Sequence, residues 1–425
     1  LTALRARGAV KQLNCFSKLA RPVDADAVFQ VDMDNSDFVL NLGLTLGDCE
    51  YQGVPMRTMK GTLRAYGTNI YTTVDIGPLA AESATGPLSG RLVYREEGES
   101  LELDATASMD INHLTAIMTV LNEGQLKPIR CETPPRVTAR GLLALNSRIS
   151  TVTNSLRGTI AFDDGSVFNL RVKDVTADLE INGYTARLDR VSGISASGGK
   201  VTGEIAFAFP NYSATSTMFT AKANFSNLDL SDFTPVFRLT NTRAGTMSAR
   251  VTLDGRASER TIPTLSGEGH LSIRNGLLHR LPLFAGFTDY LAANIPGVSA
   301  LVNQSSGSMD FSISNGVLRS ENVLVEGDLF GMQGRGACDL DSESLDFVVR
   351  ANIFREKTFA GRLTRLVTLP FSRLLLEFKL SGTLKNPEWQ YVSIIERITE
   401  GLGEWSGPRK AGLPAPTPNA PEQTP

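Results

Sequence analysis

Histidine, cysteine and tryptophan are scarce in this chain, and their scarcity excludes several kinds of site. The 425 residues include three histidines, four cysteines and two tryptophans. The cysteines stand far apart, at positions 15, 49, 131 and 338, and form no CxxC pair. Zinc and other metal sites built on histidine or thiolate are therefore not expected. The question of a disulfide such as Cys49–Cys131 is left open, although nothing in the cysteine spacing supports one.

The chain also lacks a strong charge and a long apolar run. Its 42 basic and 45 acidic residues leave a formal charge of −3, so it has no electrostatic footprint for nucleic acid. No uninterrupted apolar run is long enough to cross a bilayer as a helix. The segment 405–425 is rich in proline and alanine, which predicts a disordered tail. Because Leu1 stands first, we expect a fragment or a processed form.

The known catalytic and phosphate-binding motifs are missing as well. The glycine-rich stretch 193–201 has Ile194 and Val201 where a phosphate loop needs glycine and a hydroxyl residue. The acidic stretch 339–350 has Ser344 and Arg350 where a calcium loop needs glycine and glutamate. His113, His270 and His279 are isolated and favour surface or structural roles. We therefore expect no enzyme activity, no cofactor and no metal site.

What the chain has in abundance is alternation of apolar and polar residues. In "LDFVVRANI" (345–353) every second residue is apolar, and "LLLEFKL" (374–380) repeats the pattern, which predicts strands. Turn dipeptides separate such stretches; they are Asp164-Gly165, Asn182-Gly183, Asp254-Gly255, Asn275-Gly276 and Asn315-Gly316. Helical spacing is confined to 11–20, 114–122, 282–303, 357–369 and 391–400. The sequence therefore predicts a mainly β protein of serial hairpins with a few short amphipathic helices.

One pattern of apolar residues occurs twice in the sequence. "GHLSIRNGLL" (269–278) and "MDFSISNGVL" (309–318) share apolar spacing and an Asn-Gly. Frequent glycine inside the strands indicates bulges and curvature. An apolar sheet face must be covered either by protein, as in a sandwich core, or by a ligand in a groove, and both alternatives stay open. For the helices, burial as a plug and insertion into a membrane surface likewise both stay open.

Three stretches resemble the C-terminal region of AsmA-like proteins, the bacterial envelope superfamily that includes TamB-like and YhdP-like bridges. They are "TRAGTMSARVTLDGRASERTIPTLSGEGHLSIRNGLLHRLPLF" (242–284), "GSMDFSISNGVLRSENVLVEGDLFGMQGRGACDLDSESLDF" (307–347) and "LSGTLKNPEW" (380–389). The resemblance implies a long, strongly curved antiparallel sheet, shaped like a folded taco around an apolar groove. It also implies a periplasmic location, with anchoring to the inner membrane by an N-terminal helix that these residues do not contain.

The sequence and the resemblance together give an expected organisation. Residues 1–36 form an N-terminal helical segment, 37–210 a first block of meandering sheet, and 211–404 the AsmA-like block with helices at 282–303 and 357–369. A connection between blocks of strands is expected at 127–141. The residues expected to line a lipid groove are Phe311, Ile313, Leu345, Phe347, Val349, Ile353, Leu374, Leu376, Phe378 and Leu380. Those expected to contact a membrane are Phe284, Phe287, Leu291, Phe359, Arg362, Leu363, Arg365 and Leu366.

The expected function is lipid handling in the cell envelope. The protein would bind or conduct phospholipid acyl chains along the groove between inner and outer membranes, with phospholipids, membrane surfaces and envelope proteins as partners. An alternative is a non-enzymatic scaffold or regulator of outer-membrane protein assembly that lends strand edges. A third, an enzyme on a β scaffold, has no motif in its favour.

Overall fold

The computed structural model describes most of the chain between residues 16 and 392. The described ranges are 16–19, 24–32, 37–51, 53–68, 70–118, 129–144, 152–167, 169–209, 217–233, 245–257, 260–276, 278, 282–284, 287, 305–327, 330–353 and 374–392. The expected tail at 405–425 and the expected helix at 357–369 lie outside them.

Within these ranges the strands form one antiparallel sheet of 22 strands, as expected for a mainly β chain. The strands are β1 (Phe16–Leu19), β2 (Asp24–Asp32), β3 (Asp37–Tyr51), β4 (Val54–Gly67), β5 (Thr72–Ser83), β6 (Pro87–Arg95), β7 (Ser100–Ser108), β8 (Ile129–Cys131), β9 (Arg136–Ala144), β10 (Ser155–Val167), β11 (Leu170–Asn182), β12 (Thr185–Ser195), β13 (Lys200–Ala208), β14 (Met218–Asp229), β15 (Thr246–Arg256), β16 (Ser266–Gly276), β17 (Ser305–Ser314), β18 (Val317–Gly327), β19 (Phe330–Asp339), β20 (Leu345–Ile353), β21 (Leu374–Gly382) and β22 (Pro387–Tyr391).

The sheet is a meander in which neighbours along the chain are neighbours in space. From β3 to β7 and from β9 to β22 each strand pairs with the next, and β7 pairs with β9. At two places in the sheet, two short strands share the edge of one long strand. β1 and β2 both pair with β3, and β8 and β9 both pair with β10. The sheet does not close, and β2 and β22 lie at its two ends.

The ends of the strands define two long margins. One margin, which we call the open rim, carries the turns at 68–71, 96–99, 183–184, 315–316, 340–344 and 383–386. The other, which we call the covered rim, carries the turns at 84–86 and 196–199 and the longer connections after β7, β14 and β16. Those connections contain helix α1 (Ile111–Met118) and 3₁₀ turns at Leu230–Phe233 and Pro282–Phe284.

Bulges and stagger curve the sheet as the sequence predicts. The register shifts in nine of the described pairings, for example between Lys60 and Leu63 and between Leu188 and Val191. Each such irregularity bends the strand and increases the local twist. The many glycines in the strands permit this bending, so the long, curved antiparallel sheet is confirmed.

The two copies of the repeated pattern pair with each other. Leu271 on β16 lies opposite Met309 on β17, and Gly267 lies opposite Ile313. The second Asn-Gly forms the tight turn to β18, with Asn315 at φ 51° and Gly316 at φ 74°. At the first Asn-Gly the chain instead leaves the sheet at the covered rim, so the repeat is two adjacent strands with different exits.

The helical expectation near the N-terminus is wrong, and strand pairing continues past two of the expected divisions. The predicted helical segment at 1–36 and the predicted helix at 11–20 contain β1 and β2, because pairing with β3 and the alternation of Ala27, Phe29 and Val31 favour extended chain. At the expected connection 127–141, β8 pairs with β10 and β9 pairs with β7, so the strands on both sides belong to one sheet. It crosses the expected boundary at 210 as well, since β13 pairs with β14 along its whole length.

Two of the predicted turns are wrong because strand pairing extends through them. Asp164-Gly165 lies inside β10, opposite Lys173 and Val172, and the actual turn contains Asn169 at φ 66°. Asp254-Gly255 lies inside β15, where Gly255 pairs with Phe219. Asn182-Gly183 is a tight turn as predicted, and Gly183 has the positive φ of 56° that such a turn requires.

Three further predicted helices can be compared with the described residues. The helix expected at 114–122 overlaps α1, which covers 111–118. Of the segment 282–303, the structure describes the 3₁₀ turn Pro282–Phe284 and Phe287. Tyr391, the first residue of the expected helix at 391–400, ends β22, where it pairs with Phe378.

Candidate functional site

One face of the sheet is apolar along almost its whole length. Cross-strand register connects its side chains into rows, and neither of the two longest rows contains a charged residue. The first row, from β3 to β14, is Leu42, Leu63, Ile76, Leu92, Leu103, Gly141, Leu156, Ile181, Ala186, Phe207 and Phe219. The second, from β5 to β20, is Leu79, Gly90, Ala105, Ala139, Gly158, Leu179, Leu188, Ile205, Ala221, Leu253, Gly267, Ile313, Leu318, Cys338 and Leu345.

The opposite face carries the charged side chains in cross-strand ion pairs. Arg91 Nε donates to Asp75 at 2.9 Å, and Lys222 Nζ donates to Glu204 at 2.7 Å. The hydrogen bond from Arg91 lowers the pKa of Asp75. These pairs are largely exposed, so each contributes little to stability and together they keep this face in water. Because these charged pairs lie on one face of the sheet, the other face is left to the apolar side chains.

Protein covers the apolar face along the covered rim. After β7, Met109 and the α1 residue Leu114 pack on Ala107. Near the end of β14, Leu228 and the 3₁₀-turn residue Phe233 join a cluster with Phe162. At the N-terminal end of the same rim, the end of β3 and the start of β4 form a further buried cluster. Connections that leave the sheet at this rim therefore fold back over its apolar side chains.

The open rim has less cover, and the first row runs close to it. Every residue listed in that row is half-buried except Leu156, which is 4% exposed. Side chains in an ordinary sandwich core are fully buried by the facing sheet. Between β3 and β14 the described residues thus leave an apolar trough, which is bounded on one side by the covered rim and accessible from the open rim.

The C-terminal end of the apolar face is packed on protein. Phe378 is 0% exposed, and its ring meets Phe287 edge-on at a centroid distance of 5.3 Å. Trp389 lies 5.2 Å from Phe287, and its Nε1 donates a hydrogen bond to the Leu283 carbonyl at 2.7 Å. The 3₁₀ turn Pro282–Phe284 is thereby fastened over β21 and β22.

The residues predicted to line a groove lie on the apolar face, mostly at this packed end. Phe311 and Phe347 are half-buried, while Ile313, Leu345, Val349, Leu376, Phe378 and Leu380 are buried. Ile353 and Leu374 pair in the strands, but their side chains lie outside the described residues. Of the two alternatives for these stripes, protein packing describes the buried members.

Two of the predicted membrane-contact residues face the protein. Phe287 is 2% exposed, and Phe284 is half-buried and stacks on Trp389 at 6.2 Å. This is the plug arrangement rather than insertion into a membrane. The other six, Leu291, Phe359, Arg362, Leu363, Arg365 and Leu366, lie outside the described residues. No described helix has the length and apolar character that crossing a bilayer would require.

The residues of the open trough, such as Leu92 and Leu103, were not among the predicted site residues. Their signal was present, since "RLVY" and "LELDATA" alternate as clearly as the C-terminal stretches. What the pattern lacked was any indication of which apolar stripe the connections would cover.

The described polar groups do not converge into a catalytic constellation on this face. The closest grouping lies on the charged face, where His270 Nδ1 is 2.6 Å from Asp310 Oδ1 and Asn322 Nδ2 donates to Asp310 Oδ2 at 2.6 Å. The hydrogen bond from His270 lowers the pKa of Asp310, but both side chains are more than half exposed. Among the described residues, no three or more His, Cys, Asp or Glu side chains are placed to hold a metal ion.

Three thiols lie in strands and form no disulfide; they are Cys49, Cys131 and Cys338. Burial raises the pKa of Cys131 to about 11, with a smaller contribution from Asp110. Burial also raises the pKa of Cys338 to about 11, assisted by Asp339 and Glu343. Both thiols are therefore protonated at neutral pH and are poor nucleophiles.

We expect these two thiols to resist alkylation at pH 8. A pKa of about 11 instead of 9.0 lowers the thiolate fraction roughly a hundredfold. Mass spectrometry after brief iodoacetamide treatment should find Cys131 and Cys338 unmodified in the folded protein and modified in guanidinium. Because the unfolded thiols ionise first, the same shift lowers stability as the pH rises from about 9 towards 11. Rapid native alkylation would contradict the burial described here.

Comparison with known proteins gives no relative. No family model, no curated protein and no solved structure matches this chain.

Proposed function

We propose that the protein is a non-catalytic lipid-handling protein that binds phospholipid acyl chains in the trough between β3 and β14. The observation that carries this proposal is the continuous uncharged row from Leu42 to Phe219, half-buried along the open rim. An apolar surface of this extent needs a partner that shields it from water. Acyl chains meet that need without specific contacts, since each buried methylene contributes about 0.8 kcal/mol.

The trough supports a particular arrangement of the lipid. Acyl chains lie against the apolar row, and headgroups stay in water at the open rim. Because the rows present no charged side chain, recognition rests on apolar burial and extends to lipids with different headgroups. Continuity of the row across successive strands gives the chains a path along the sheet. Movement along it is passive, so direction and energy come from outside the protein.

The cellular setting of the proposal comes from the resemblance to AsmA-like proteins. We propose on that basis that the protein acts in the periplasm of a bacterial envelope and conducts phospholipid between inner and outer membranes. The curved meander and the apolar trough support this proposal because a conduit needs an apolar path that is longer than one lipid.

Lipid analysis of the purified chain tests the proposed function. Protein expressed in bacteria and isolated without detergent should yield phospholipid in at least stoichiometric amount by mass spectrometry of an organic extract. Lipid-free protein that also fails to bind added phospholipid would overturn the proposal.

A second candidate function, the assembly scaffold, is favoured by the free edge of β2. Val28, Phe29 and Val31 on this edge strand are 54%, 64% and 49% exposed, and β2 pairs only with β3 among the described residues. An extended segment of a partner could add there by backbone hydrogen bonding. The scaffold predicts that charges placed in the trough leave partner capture intact, whereas lipid handling predicts that they remove bound lipid.

A further inference from the structure

Exposed aromatic side chains gather at one place on the open rim, where β12, β13 and β14 begin or end. Tyr184 is 50% exposed and Phe209 is 36% exposed, and the Phe209 N–H donates to the Tyr184 carbonyl at 2.8 Å. Phe207 lies 6.5 Å from Phe209 and 6.4 Å from Phe219, centroid to centroid. We call these four residues the rim aromatic patch.

The patch is continuous with the trough. Phe207 and Phe219 belong to the first apolar row and lie directly opposite each other on β13 and β14, and beyond Phe219 the register continues to Gly255 on β15. Phe209 follows Phe207 by two residues, and so points to the same face. The apolar path along the row is therefore connected, through Phe207, to the exposed ring of Phe209 at the rim.

The exposed rings of the patch are not isolated on this rim. Ile262 in the β15–β16 connection is also exposed on the open rim, at 38%, whereas Met218 at the start of β14 alternates with Phe219 and so points to the charged face. Single exposed apolar residues are ordinary on a protein surface, whereas a contiguous group marks an interaction site. With strands about 4.8 Å apart, the four aromatic residues from β12 to β14 extend roughly 10 Å along the rim.

The patch and the apolar row that it joins contain no charged side chain, and this indicates the kind of partner. The ion pairs of the same strands lie on the opposite face of the sheet, where Arg187 pairs with Asp189 at 3.5 Å, Lys222 pairs with Glu204 at 2.7 Å, and Arg190 pairs with Asp178. A surface that is apolar and locally neutral complements a layer of net-neutral headgroups over acyl chains, and gives no attraction to a strongly charged partner. Tyrosine, with an apolar ring and a polar hydroxyl, suits the boundary between headgroups and acyl chains.

We propose that the rim aromatic patch docks on a zwitterionic phospholipid bilayer and is where lipid passes between that bilayer and the trough. This inference rests on the proposed function. Tyr184 and Phe209 lie in the headgroup layer, and a phospholipid tilts its acyl chains from the bilayer onto Phe207 and Phe219. Lipid thus moves sideways across the rim, and the packed C-terminal end need not open for it.

Vesicle flotation tests the docking surface. The full chain is mixed with phosphatidylcholine vesicles that contain no anionic lipid, and its floated fraction is compared with that of the double variant Tyr184→Asp/Phe209→Asp. We expect the double variant to lose about tenfold in vesicle affinity, because two charges replace the apolar contact. Ile194→Asp is the matched control, since Ile194 stands at the other end of β12 and is 43% exposed; it should float like the unsubstituted chain.

A second measurement separates this inference from the proposed function. Monomeric dihexanoyl phosphatidylcholine, below its micelle concentration, probes the trough alone, and the double variant should bind it as the unsubstituted chain does. Equal flotation of the double variant, or flotation only with anionic vesicles, would overturn the docking inference and leave the trough standing. A chain that binds neither vesicles nor monomeric lipid would overturn both.

A fluorescent reporter guards against misfolding of the aspartate variant. Phe209→Trp should be quenched by brominated phosphatidylcholine vesicles, whereas Ile194→Trp on the covered rim should not. Equal quenching at the two positions would overturn the docking inference as well.

Discussion

Replacing Phe378 by alanine is expected to lower the free energy of unfolding of the C-terminal end of the sheet by about 3–5 kcal/mol. Phe378 is 0% exposed, and its ring contacts Phe287 at 5.3 Å, Tyr391 at 5.8 Å and Trp389 at 6.0 Å. Truncation removes these contacts and leaves a cavity that the neighbouring strands fill only in part. Urea denaturation, followed by the fluorescence of Trp389, measures the loss.

Phe207→Ala is the matched control for Phe378→Ala. Phe207 lies on the same apolar face but is only half-buried, so its truncation should cost roughly 1–2 kcal/mol. If the two substitutions cost the same, the apolar face would be equally covered at both places. That result would remove the distinction between a packed C-terminal end and an open trough.

Alternation predicted the strands well because each strand buries one face and exposes the other. Leu345, Phe347 and Val349 share a face in β20 as the sequence predicts, and β21 places Leu380 and Phe378 opposite Phe347 and Val349. A period of two is a local property, so it is visible in any stretch of six or more residues. The face to which a residue points was therefore predictable.

The turns show that a local sequence signal alone does not determine where the chain turns. Asn315-Gly316 is a turn because both residues adopt positive φ, which asparagine and glycine tolerate. Asp164-Gly165 has the same local signal, but pairing with β11 continues through it and places the turn at Asn169. The two dipeptides differ in how far the neighbouring strand continues past them. The dipeptide sequence contains no information about the length of that strand.

The candidate site was harder to predict because it depends on contacts between distant segments. Leu376 and Leu103 stand in equally regular alternating stretches, yet Leu376 is 7% exposed beneath the cluster that contains Phe287 while Leu103 is half-buried in the trough. Only the path of the connection after β16 distinguishes them. Sequence pattern gives the apolar face, and the folded connections determine which part of it remains accessible.

Introducing two carboxylates into the trough should remove bound phospholipid and leave the sheet folded. Leu92 on β6 and Leu103 on β7 lie directly opposite each other in the first row, and both are half-buried. In the double variant Leu92→Glu/Leu103→Glu, acyl chains would have to cover two charges, which costs several kcal/mol if the charges stay unpaired. We expect recovered phospholipid to fall about tenfold or more in mass spectrometry of the purified protein. Because the open trough lets the glutamates reach water, circular dichroism should remain that of a β protein.

The same two strands supply the control. Ser89 and Thr106 also lie directly opposite each other, three positions from the leucines in register and on the charged face, and both are exposed. Ser89→Glu/Thr106→Glu adds the same charge to the same strands without touching the trough, so lipid should be retained. Loss of lipid in both double variants would indicate a general effect of charge. Retention in both would place the lipid elsewhere, and the free edge of β2 would then become the principal candidate for the protein's function.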